Sequence, residues 1–194
     1  IDAIVGEWDD PEADQAYLER VWCNRPVQAA GRAFDLKAWH ANVQEGVEVP
    51  PGEAIALGFD GNRWRDGTAL IATHLESGYQ WSLGIWERPA LQPDWEAPAE
   101  VIDGLVDDAF ATWEVVRMYA DPRYWESWVA DWQGRYGEKR VVEWRTDRRR
   151  PMAAAIKAWH SAIVTAEHSH SGDALLTRHV GNAFRQETQL RDEE

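Results

Sequence analysis

Apolar and polar positions along the chain change their period twice. Near the N-terminus, Asp10-Pro11-Glu12 supplies a cap, a proline at the first helical position and an early acid, and Tyr17, Leu18, Val21 and Trp22 follow as a helical stripe up to Pro26. A second short helix is predicted from a cap at Asp35 through Trp39, and Val49-Pro50-Pro51-Gly52 breaks the pattern. Beyond that boundary the period is that of strands: Ala54 to Phe59, Thr68 to Leu75, and Tyr79 to Trp86, the last two joined by a hairpin at Glu76-Ser77-Gly78. The helical period then returns. Val101, Ile102, Leu105, Val106, Ala109, Phe110 and Trp113 form one stripe, and a compact β run from Val115 to Ala120 ends in Asp121-Pro122. Helices over 125–136 and 151–166 flank a strand over 140–144, and Asp173 caps a last helix to about Arg185.

The order from residue 54 onward is β-β-β-α-β-α-β-α. Three antiparallel strands followed by two parallel strands on helical crossovers give a mixed five-stranded α/β sheet with flanking helices, the element order of the ribonuclease H-like fold. Two regions result: a helical linker segment, residues 1–52, and a sheet domain, residues 53–194. Element order does not establish chemistry, because one fold hosts many activities.

Composition narrows the class. Hydrophobic residues at 44% and charged residues at 28% permit a packed core and exclude wholesale disorder. No apolar stretch approaches the roughly 20 residues that span a bilayer, so a soluble intracellular protein without a membrane partner is expected. Cys23 is the only cysteine, which excludes an intrachain disulfide and a multi-cysteine zinc site. The chain begins at Ile1 and not Met, as a domain excised from a longer polypeptide would.

The net charge of −14 argues against general coating of nucleic acid, but it is unevenly spread. Residues 1–60 hold four basic and twelve acidic side chains; Arg135 to Lys157 hold eight basic and three acidic, a local balance of +5. That basic edge, with Arg145, Arg148, Arg149 and Arg150, suits a polyanion, although an ordinary solvated loop has the same composition.

Two acids end strands. Asp60 closes Gly58-Phe59-Asp60-Gly61 and Asp121 closes Tyr119-Ala120-Asp121-Pro122. If the first and fourth strands are neighbours, the two carboxylates emerge at one edge, where hard divalent cations, Mg²⁺ or Mn²⁺, would bind and support two-metal phosphodiester hydrolysis. The glycine after Asp60 leaves room for a phosphate backbone. Turn capping is the alternative use of such acids. A third acid is needed to complete the set, and Asp173 in His170-Ser171-Gly172-Asp173 is the local candidate, with helix capping as its competing role. Asp66 fits a turn, Glu143 a strand end, and His168, His170 and His179 lack the spacing of a zinc site. Ser77, Ser127 and Ser161 lack a nucleophile context, and no phosphate-binding loop of an ATPase occurs.

Three stretches carry a resemblance. GFDGNRWRDGTAL (58–70), YADPRYW (119–125) and HSGDALLTRHVGNAFR (170–185) resemble the C-terminal nuclease domain of the large terminase subunit of tailed phages, particularly of actinobacterial phages or prophages, and Asn24-Arg25-Pro26-Val27 resembles the segment that joins the packaging ATPase to it. The resemblance implies a ribonuclease H-like fold and a divalent-metal-dependent DNA endonuclease that cuts concatemeric genomes in the host cytoplasm. Its implied partners are double-stranded DNA, the ATPase domain of the same subunit, a small terminase subunit and the portal. Asp60 and Asp121 match the family's metal-binding positions. The family's third acid usually follows the last quoted stretch in a lysine-hydrophobe-aspartate segment; Arg191-Asp192-Glu193-Glu194 has no counterpart, and Ser171 stands where relatives often carry an acid. Two other readings fit the same fold: a non-catalytic docking module anchored by Trp64, Trp81 or Trp95, and a junction resolvase or transposase core.

Overall fold

A computed structural model of the chain describes residues 31–64, 67–92 and 94–184. The predicted helix over residues 10–22, Cys23, Asp66 and Arg185 lie outside the described residues. In chain order the elements are α1 (Leu36–Ala41), β1 (Ala54–Gly61), β2 (Thr68–His74), β3 (Tyr79–Trp86), α2 (Ala99–Thr112), β4 (Glu114–Ala120), α3 (Glu126–Tyr136), β5 (Val141–Glu143), α4 (Arg149–Val164), β6 (Ser169–His170) and α5 (Ala174–Gly181). All five predicted strands are present. The sheet has a sixth, β6, whose two residues are too few to leave a periodic trace in sequence.

Strand order is β5-β4-β1-β2-β3-β6. β1, β2 and β3 form the antiparallel meander, while β4 runs parallel to β1 and β5 parallel to β4. Alternation along β1 sends Ile55, Leu57 and Phe59 to one face, where they are buried, and leaves Gly58 and Asp60 on the other. The buried face packs on Ile102, Val106 and Ala109 of α2 and on Trp125, Val129 and Trp132 around α3. Phe59 meets Trp125 and Trp132 edge to face, with ring centroids 5.1 and 5.2 Å away. Asp103 and Asp107 of α2 pair with Arg135 of α3, which ties the two covering helices together.

A second core lies under α1, α4 and α5: Phe34, Trp39, Ile163 and Val180 are buried, with Trp159 and Leu176 packed against them. Asp35 caps α1 as predicted, accepting from the backbone N–H groups of Lys37 and Ala38. The stretch from Arg32 onward is tied to the sheet domain. Val43 bridges to His170, Arg32 bridges to Phe184, and Trp39 is fully buried. Among the described residues, no helix is long and apolar enough to cross a membrane.

Candidate active site

β1 and β4 run side by side in parallel, with Phe59 opposite Ala120. The residue that follows each of these is an acid, so the register itself puts Asp60 and Asp121 at one end of the sheet. The Asp121 N–H donates to the Phe59 carbonyl at 2.9 Å, which extends the pairing to the acid itself. Both residues line one cleft of about 300 Å³ with Gly61, Asn62, Gly67, Arg123, Tyr124 and Thr146.

The two carboxylates are held differently. Asp121 is buried, 6% exposed; its Oδ1 accepts from the Arg123 N–H at 3.1 Å, and its Oδ2 accepts from the Thr146 hydroxyl and from the Thr146 N–H at 3.4 Å. Thr146 was not legible as a site residue: it follows β5 in an irregular turn, and only the fold brings it under Asp121. The Asp60 side chain reaches solvent, yet its carboxyl titrates above its ordinary value, first because surrounding protein desolvates it and second because the Asp121 charge is close. Two like charges at one cleft, with an all-oxygen donor set, are what a hard divalent cation neutralises. The residues present therefore fit such an ion.

The glycine after Asp60 has a packing reason of its own. A Cβ at position 61 would lie 2.6 Å from Thr68 Cγ2, so the space beside Gly61 is filled by the facing strand.

Asp173 is not brought to this cleft. It is the N-cap of α5, where Oδ1 accepts from the Leu176 N–H at 2.8 Å and Oδ2 from the Ser82 hydroxyl at 2.8 Å. These bonds hold its carboxyl below its ordinary value despite desolvation. With Ser171, Trp81 and Trp113 it lines a separate cavity of about 680 Å³. Arg145 is near the acids, on the wall of a second cavity of about 580 Å³ that it shares with Asp121, Glu126, Glu143 and Asp147; it pairs with Asp147 at 2.9 Å. Arg148, Arg149 and Arg150 are exposed where α4 begins.

The histidines separate. His168 and His170 are buried in the second core, and His179 sits on α5 beside Asp60 in another cavity, paired with Glu87 at 2.9 Å. Among the described residues, one group of three metal-type ligands converges within 4.8 Å: Glu53, His74 and Glu76. It lies at the opposite end of β1 from Asp60, and its spacing in the sequence carries no ligand signature. Of the three tryptophans considered as contact anchors, Trp81 and Trp95 are half-buried, and Trp64 is 46% exposed.

No family model matches the chain. The Gene 13 proteins of Mycobacterium phages D29 and L5 are each 31% identical to it, over 156 and 158 residues, or 74% and 75% of this chain. The chain spans 26% of the length of each. Among solved structures, the large terminase nuclease of thermophilic phage G20c superimposes with a TM-score of 0.63 at 9% identity, covering 82% of this chain and 85% of that one. The same nuclease with bound magnesium gives 0.59 at 13%, covering 83% and 85%. The large terminase of bacteriophage HK97 gives 0.60 at 13%, covering 77% of this chain and 36% of that one.

Proposed function

We propose that this chain, whose fold is that of the nuclease domain of phage large terminases, is the divalent-metal-dependent endonuclease domain of a genome-packaging terminase from an actinobacterial phage. The observation that carries this reading is the convergence of Asp60 and Asp121 in one cleft at the ends of parallel neighbours β1 and β4. The parent protein would combine this domain with an ATPase domain, act with a small subunit and a portal, and cut concatemeric double-stranded DNA in the host cytoplasm. The segment 1–52 would then lead in from that ATPase, with its part from Arg32 onward packed on the nuclease domain.

Asp60 and Asp121 would hold Mg²⁺ or Mn²⁺, as one ion or two. Such ions supply Lewis-acid stabilisation of phosphate charge and a water more acidic than bulk water. The chain's own groups do the rest. Thr146 and the Arg123 N–H keep both Asp121 oxygens in place, so that this ligand does not have to be ordered when DNA arrives. Arg145, beside Asp121, and Arg148 to Arg150 would draw the sugar-phosphate backbone across the cleft, and Asp147 moderates the Arg145 charge. Phosphate contacts of this kind carry no base code, so cutting should show little sequence preference.

Asp60→Asn is expected to abolish manganese-dependent plasmid nicking with little change in melting temperature, because the side chain is at a solvent-facing strand end. Retained nicking would remove Asp60 from the mechanism. A second reading is favoured by one feature: among the described residues, two acids and not three meet in the cleft. A non-catalytic docking module would bind no manganese at millimolar concentration by calorimetry, whereas a nuclease binds it and loses that binding in Asp60→Asn.

A further inference from the structure

The cleft wall carries aromatic surface that metal binding by two carboxylates does not use. Tyr124 lines the cleft and is 37% exposed, and Trp64 beside it is 46% exposed. Their rings meet edge to face with centroids 5.5 Å apart. The Arg123 guanidinium lies 5.0 Å from the Tyr124 ring, and that of Arg63 lies 5.8 Å from the Trp64 ring.

This surface is braced. Asn62 Oδ1 accepts from the Trp64 N–H at 3.1 Å, and the Ala97 N–H donates to the Arg63 carbonyl at 2.9 Å. Arg63 pairs with Glu96 and also lies over the buried Trp125 ring. Tyr124 has φ +69°, a left-handed conformation that costs a residue with a Cβ roughly 1 kcal/mol. A glycine would relieve that cost. The chain instead places a large ring there, next to the acids and half in water.

We propose that Trp64 and Tyr124, flanked by Arg63 and Arg123, form a platform on which an unpaired nucleobase of the strand being cut stacks beside the Asp60–Asp121 cleft. This rests on the nuclease reading above and specifies the state of its double-stranded substrate in the cleft: locally unpaired at the cut. Every base offers a π face to an aromatic ring, and the guanidinium groups suit the phosphates on either side. Tryptophan, tyrosine and arginine also make protein–protein anchors. Continuity with the acid cleft and the two cations on the rings favour a polyanion that carries planar bases.

The test is binding of a fluorescein-labelled oligothymidine to the 194-residue chain, with EDTA present, followed by anisotropy and repeated with a duplex of equal length. Tyr124→Gly removes the ring at a position whose backbone conformation suits glycine, so the variant should stay folded by its melting curve, and it should weaken oligothymidine binding roughly tenfold. Trp64→Ala should weaken it similarly, and Trp64→Phe should restore most of the loss, which a purely charge-based site would not show. Duplex affinity should change less. If both folded ring variants bind oligothymidine as the parent does, the platform is overturned and the rings are assigned to a protein contact. In that event, loss of nicking in Asp60→Asn would leave the nuclease reading standing without it. Nicking that survives Asp60→Asn sinks the cutting site, and the platform beside it as well.

Discussion

Asp121 and Asp60 are one residue type in two environments, and the difference has consequences at the site. Asp121 is buried with donors on both oxygens, whereas Asp60 reaches solvent and has its carboxyl held above its ordinary value by desolvation first and by the Asp121 charge second. The Thr146 hydroxyl is the donor that a single substitution removes most cleanly. Thr146→Val keeps the shape of the side chain and leaves Asp121 Oδ2 with only the long backbone contact at 3.4 Å. Supporting groups around metal ligands typically contribute about 10- to 100-fold to affinity or activity. Manganese-dependent nicking by Thr146→Val should fall by about that factor while the melting curve stays near that of the parent; unchanged nicking would show that Asp121 needs no such support.

At the scale of elements, α1, β6 and the end of α4 meet around aromatic and imidazole rings. Trp39 stacks on His170 with centroids 3.7 Å apart, and His168 lies next to both. His170 Nε2 bonds to the Trp39 carbonyl at 2.9 Å, and its Nδ1 accepts from the Gly172 N–H at 3.2 Å. A ring that donates on one nitrogen and accepts on the other is neutral. His168 bonds through Nε2 to Gln80 Oε1 at 2.7 Å, and its Nδ1 is buried without a partner. Burial pushes His168 down to about 4, helped by His170, and burial also lowers His170. Between about pH 6.5 and about 4 the unfolded chain therefore binds more protons at His168 than the folded chain does. Stability is full above the unfolded value and is lost as pH falls through that window, by up to about 1.4 kcal/mol per pH unit for one histidine. Denaturant midpoints measured across the window should flatten in His168→Gln relative to the parent. An equal slope would place the acid sensitivity elsewhere.

For the whole molecule, a net charge of −14 means that the proposed binding of DNA would be local and salt-sensitive. Replacing Arg145, Arg148, Arg149 and Arg150 by glutamine should weaken duplex binding uniformly across sequences. The slope of log affinity against log salt should drop by about one for each arginine–phosphate pair removed. A slope that does not move would mean that the DNA path lies on another face.

The longer strands and helices from residue 54 onward were legible because most turn one side to the core, and burial imposes a period of two or about 3.6 on the sequence; β6, with two residues, left no such mark. The strand-ending positions of Asp60 and Asp121 were legible for the same reason, as was the capping role open to Asp173. Local pattern reaches no further than a few residues. That β1 and β4 lie side by side, that Thr146 and Tyr124 reach the same cleft, and that Asp173 commits its carboxylate to Ser82 and the start of α5 are matters of strand order and register. Contacts between residues 60 and 121, or 82 and 173, leave no periodic mark along the chain, because they depend on where whole elements pack and not on which face of an element is apolar. The chain's own pattern thus determined the elements and which residues close them; tertiary packing alone decided which of those closing residues share a cleft.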